Sequence, residues 1–190
     1  MPVAARARLV LAAATSVVLV ATGCGSSGGG GGNGSSDAGK TFSYQSNEPQ
    51  NPLQPANANE VGGGRIIQNL FKGLVDYDPS NAKIRMQVAD KIDTSDSQTF
   101  TITLKDGWKF HDGTPVHAKN FVDAWNWGAN PANAQINSSW FSDIEGYQDV
   151  HPATGKATTD KMSGLTVTDD LHFTVKLSHK VSYFEYKLGY

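Results

Sequence analysis

Hydrophobic and polar positions change period several times along the chain. Thr41 to Gln45 alternates, with Phe42 and Tyr44 on one face, and this predicts a strand. Pro49, Pro52 and Pro55 then exclude a regular element and mark a loop. Asn57 and Glu60 have capping-box spacing, and Ile66, Ile67, Leu70, Phe71 and Leu74 share one helical stripe, which Gly73 is expected to end. Thr99 to Leu104 alternates strictly, with Thr on the solvent face. Lys105-Asp106-Gly107 turns it, and Trp108 and Phe110 suggest a second strand. His111-Asp112-Gly113-Thr114 reads as a turn. Pro115 pre-sets a helix in which Ala118, Phe121, Val122 and Trp125 share a face, and Asn130-Pro131 breaks it. Leu165 and Val167, then Leu171, Phe173, Val175 and Leu177, alternate on either side of Asp169-Asp170, which predicts a hairpin with one apolar face. Strands, helices and hairpins mixed in this way predict a mixed α/β (α+β) fold.

The first 39 residues follow a different pattern. Arg6 and Arg8 precede a twelve-residue, almost wholly apolar run from Leu9 to Val20. A spanning helix needs about 20 such residues, so 1–23 is read as a secretion signal. It ends in Ala21-Thr22-Gly23-Cys24, which resembles a bacterial lipobox with Ala21 in place of the usual Leu. Cys24 is therefore expected to carry a diacylglycerol, since two acyl chains hold a soluble domain at a bilayer where one holds it only marginally. Residues 24–39 read as a tether, because eight Gly and four Ser in the fifteen residues from Gly25 to Gly39 cannot bury enough surface to offset their ordering entropy.

The remaining chain, about 150 residues, is long enough for an ordinary core. A net charge of −2, becoming −4 when the signal with its two Arg is removed, offers no basic field for a nucleic-acid backbone. One Cys excludes an internal disulfide and a Cys-rich zinc site. His111, His117, His151, His172 and His179 lack the spacing of a helical metal pair, and none accompanies a nucleophile motif. His111-Asp112 is explained by turn geometry, and Gly62-Gly63-Gly64 follows no strand. The sequence thus calls for no catalytic residue, no metal and no cofactor. Two positions suggest recognition. Trp140, in a polar loop after Asn137-Ser138-Ser139, reads either as a stacking wall for a ligand or as an anchor over the core. Glu48, before the Pro loop, reads either as a carboxylate reaching into a cleft or as a plain surface acid.

Three segments together resemble the family 5 extracellular solute-binding proteins, the oligopeptide- and dipeptide-binding receptors of ABC importers. Asn47-Glu48-Pro49-Gln50-Asn51-Pro52-Leu53-Gln54-Pro55 is similar to the family's opening loop, with Gln54 in place of Asp. Ile67 to Val75 is similar to its Asn-Leu-Tyr-Glu-Gly-Leu run. Thr99 to Val116 resembles its strand, Lys/Arg-x-Gly turn and Phe-x-Asp-Gly-x-Pro step. His117-Ala118-Lys119-Asn120 departs from the family's Thr-Ala-Glu-Asp helix start and loses its acidic first turn.

The resemblance covers 41–190 and implies a periplasmic-binding-protein type II-like fold, here partial. Residues 40–58 would begin lobe I, 59–163 would form an extra domain, and 164–190 would return into lobe I. Because family members run several hundred residues longer, and Phe184, Tyr186, Leu188 and Tyr190 read as an uncapped aromatic helix start, the chain is expected to be an N-terminal fragment. The implied protein is a monomeric lipoprotein, not an enzyme, anchored at Cys24 on the outer face of the cytoplasmic membrane. It would capture extended peptides and pass them to an ABC permease in the membrane. Glu48 matches the family's acidic position at the cleft, and Asn137 to Trp140 matches a loop whose aromatic faces the ligand, so Glu48, Asn137 and Trp140 are the expected ligand contacts. The alternatives are the same fold with a nickel, haem or sugar ligand, or a surface sensor lipoprotein without transport. A lipoprotein hydrolase finds no support in any nucleophile–base motif.

Overall fold

The computed structural model describes residues 43–189. The signal, Cys24 and the Gly/Ser tether lie outside them, as do Thr41 and Phe42 of the first expected strand. Its described remainder, Ser43 to Gln45, is without ladder pairing, and Tyr44 is exposed. Alternation alone does not make a strand, because the backbone needs a neighbouring ladder.

A short 3-10 turn, Pro55–Asn57, leads into helix α1, Val61–Leu70. A ribbon of β1 (Val75–Tyr77) and β2 (Ile84–Met86) follows. Strands β3 (Ala89–Asp93) and β4 (Thr99–Leu104) come next, then helix α2 (Ala118–Ala129). The 3-10 turns Pro131–Asn133 and Ser138–Phe141 and the one-turn helix α3 (Tyr147–Val150) fill the connection to β5 (Leu165–Val167) and β6 (His172–Lys176), and α4 (Phe184–Lys187) ends the described chain.

The main sheet is antiparallel with order β3-β4-β6-β5. Its register sets Phe100 opposite Val175 and Ile102 opposite Phe173, so the inward positions of the two central strands face the same core. Phe100, Ile102, Leu104, Phe173, Val175 and Leu177 are all buried, whereas Thr99 and Thr101 are exposed, as the alternation predicts. Helix α2 packs its expected face here: Ala118 and Val122 are buried, and Trp125 meets Phe173 edge-on at 5.8 Å between ring centroids. Because β6 lies between β4 and β5, the sheet spans the boundary expected between residues 163 and 164. No helix among the described residues is long and apolar enough to cross a membrane.

Several local expectations change. Glu60, not Asn57, is the N-cap of α1, and Asn57 is buried at the end of the preceding 3-10 turn. The helix stops at Leu70, before Gly73, and Leu74 turns into the core beside β1 while Leu70 and Phe71 stay exposed. Trp108 to Val116 makes one isolated bridge, Lys109 with Pro115, not a full strand pair. The turn itself forms as read: Gly113 takes φ +88°, and Asp112 accepts from the Thr114 amide at 2.9 Å. Helix α2 begins at Ala118, three residues after Pro115. Its start replaces the missing acids with Asn120, whose Oδ1 accepts the His117 amide at 2.7 Å.

Candidate functional site

The three ligand-contact candidates lie on two segments that meet the same stretch of chain, residues 54–60. Glu48 is exposed on the loop before the first 3-10 turn. Two residues on, the Gln50 amide donates to Glu60 Oε1 at 3.3 Å. The Glu60 carboxylate also accepts the Gly63 amide, at 2.9 Å to Oε1 and 3.0 Å to Oε2. The Gly63 donor, with smaller help from the Gln50 and Gly62 amides and against some desolvation, holds the Glu60 carboxyl below the usual carboxylate range.

Asn137 stands at the N-cap position of the 3-10 turn Ser138–Phe141 that carries Trp140, without a side-chain cap bond, so these two candidates share one turn. Asn137 also reaches the 54–60 stretch from the other side. Its amide donates to Ala56 O at 2.9 Å and its Nδ2 to Ala58 O at 3.4 Å, while Ile136 N donates to Asn57 Oδ1 at 3.4 Å. Beside it, buried Gln135 donates through Nε2 to Gln54 Oε1 and Asn133 O, and its own Oε1 has no protein partner.

Trp140 is 38% exposed, and its Nε1 donates to Lys187 O at 3.3 Å. The Lys187 ammonium lies 5.0 Å from the Trp140 ring centroid and 2.7 Å from Asp143 Oδ2, with both charged side chains largely shielded. This cation–π contact fixes the indole against α4. Sequence reasoning missed Glu60's second bond and the Lys187–Asp143 pair. The first had a local sign in Glu60 ahead of three glycines; the second joins residues 44 positions apart and left none.

The three candidates present one exposed carboxylate, one half-buried amide that donates to Ala58 O, and one partly exposed indole. Ser178 Oγ lies 3.1 Å from His179 Nδ1, but His179 is 3.7 Å from Asp143, whose short contact is with Lys187. Among the described residues, no group of three His, Cys, Asp or Glu is placed to hold a metal ion. Trp127, off the core face of α2, overlooks a shallow cavity of about 200 Å³ with Asp123, Asn126, Asn130, Asn133 and Asp160.

A two-layer fold of this topology with a polar, aromatic-flanked loop cluster suits a binding protein, and comparison with known proteins identifies the class. The profile of the bacterial extracellular solute-binding proteins, family 5 Middle, matches residues 83–190. The chain belongs to this family of solute-binding proteins. It is 32% identical over 133 residues to the oligopeptide-binding protein OppA of Bacillus subtilis (strain 168), and equally to the periplasmic murein peptide-binding protein MppA of Escherichia coli (strain K12). Each match takes in 70% of this chain and 24% of the relative. Among solved structures, Haemophilus influenzae OppA in complex with RPPGFSPFR superposes with a TM-score of 0.67 at 30% identity, over 75% of this chain and 27% of that one. The fold is therefore the periplasmic-binding-protein type, present in part, and the chain spans about a quarter of the length of the curated relatives it matches.

Proposed function

We propose that this chain is the N-terminal part of a lipid-anchored receptor that captures extended oligopeptides outside the membrane and delivers them to an ABC permease. The observation that carries the reading is the match to peptide-binding relatives, joined to the likeness to a receptor solved with a nonapeptide. The local chemistry supports it. Extended peptides present backbone amides and carbonyls, which suit polar groups and aromatic walls. In this reading Glu48, Asn137 and Trp140 face the ligand. Residues 1–23 direct export, Cys24 carries the diacylglycerol, and 24–39 hold the receptor off the outer face of the cytoplasmic membrane as a monomer.

The test uses the full-length protein and a library of unblocked peptides. A thermal shift with peptides of two to nine residues is expected, and no shift across the library would remove the peptide claim. Glu48→Ala and Trp140→Ala are each expected to weaken binding by roughly tenfold, the size of one good polar or aromatic contact, by calorimetry. Cys24→Ala should move the protein from the membrane fraction to the soluble exported fraction. A variant that stays with the membrane would show that Cys24 is not the anchor.

A further inference from the structure

We propose that Glu60 and Gly62 form a clasp that fixes the 47–50 segment on the start of α1, making Glu60 a positioning residue for Glu48. The positioning half rests on the peptide-binding reading; the clasp itself does not.

Two local choices at the start of α1 are poor for a helix considered alone. Glu is not among the favoured N-caps, where Ser, Thr, Asp and Asn lead. Gly is the weakest non-proline helix former, yet residues 62 to 64 are all Gly. The second segment that crosses here accounts for the Glu cap and for Gly62; a Cβ at Gly63 would meet the Glu60 and Ala58 side chains instead, and one at Gly64 would stand in open space. A Cβ on residue 62 would lie 2.5 Å from Asn47 O and 3.1 Å from Glu60 Oε2, so only Gly lets the Asn47 carbonyl approach. The Glu side chain, one methylene longer than Asp, caps Gly63 and still reaches the Gln50 amide. Glu48 is thereby held from both sides, by the Asn47 carbonyl against Gly62 and by the Gln50 amide on Glu60. Asn57 and Ala58, just before Glu60, receive Ile136 and Asn137, so the same frame carries both Glu48 and Asn137.

The clasp separates from ordinary helix capping by one substitution. Asp is a strong N-cap but is too short to span to Gln50, so Glu60→Asp keeps the cap and cuts the clasp. In the full-length protein, Glu60→Asp and Gly62→Ala are each expected to speed amide exchange at Gln50 at least tenfold, read by NMR or mass spectrometry. Exchange in β4 and β6, and for Glu60→Asp the melting temperature, should stay as in wild type. With penta-alanine as the probe, both variants should bind at least fivefold more weakly than wild type. Unchanged Gln50 exchange in Glu60→Asp overturns the clasp, and this variant decides alone where Gly62→Ala does not fold. Faster exchange with unchanged peptide affinity overturns the positioning role. Wild-type protein that binds neither penta-alanine nor the wider library sinks the peptide reading and the positioning role with it, while the exchange result still decides the clasp.

Discussion

Asn126 lies on the buried side of α2, and its Oδ1 accepts the Met162 amide at 2.8 Å. That bond anchors the approach to β5, because an unpaired amide in the interior would have no water to turn to. Asn126→Ala is expected to cost about 1–3 kcal/mol for the stranded donor, measured by urea denaturation. Phe173, on β6, is fully buried facing α2 and meets both Phe121 and Trp125. Phe173→Ala should cost about 3–5 kcal/mol, with a cavity left among aromatic rings that cannot collapse into it. Both roles differ in how far they show in the chain. Phe173 sits in a clean alternation and reads as core, whereas nothing around Asn126 says that its partner is 36 residues away. Trp140 shows the same limit: its place in a polar loop is visible, but Lys187, which braces the ring, is supplied by the far end of the described chain.

Among the elements, β4, α2 and β6 are legible because each repeats its period for several residues, and β5 is legible only through the Asp169-Asp170 turn that joins it to β6. The ribbon of β1 and β2 is not, since three-residue strands are too short to show a period. Strand β3 is mostly polar, with a register shift between Ala89 and Lys91, so its alternation is broken. Exchange protection should follow the sheet order: β4 and β6 slowest, β3 and β5 faster, and the ribbon fastest of all. Uniform protection across the sheet and ribbon would contradict this. The turns carry their own signature. Asp96 is held below the usual carboxylate range mainly by the Thr99 and Gln98 amides, Asp112 by Thr114, and Asp169 by the His172 side chain. A lowered folded pKa gives stability that is present above the unfolded pKa and lost as pH falls through the folded one. The melting temperature should therefore hold from pH 7 to about 5 and fall below about pH 4, the ordinary carboxylate range. Asp96→Asn should shrink that fall.

For the molecule as a whole, the position of β6 matters most. It pairs with β4 from Thr99–Lys176 to Thr103–His172 and with β5 on its other edge, so it closes the core that β4 and α2 begin. A chain ended at residue 163 is expected to lose cooperative melting and chemical-shift dispersion, because the inner face of β4 would stand open. Native-like dispersion in that fragment would show that the hairpin is an appendage. The sequence by itself determined the mixed α/β class, the central strands and the faces of α2, because these rest on local periodicity and turn residues, and its motifs carried the resemblance to the family. It also singled out Glu48 and Trp140 by their places in loops, and Asn137 only through the family resemblance. Only the tertiary structure decided where α1 ends, which acid caps it, and how the loops at 47–60 and 135–140 and helix α4 are fastened together. Those outcomes depend on which groups distant in sequence compete for the same backbone donors and the same buried space, and no local pattern records that competition.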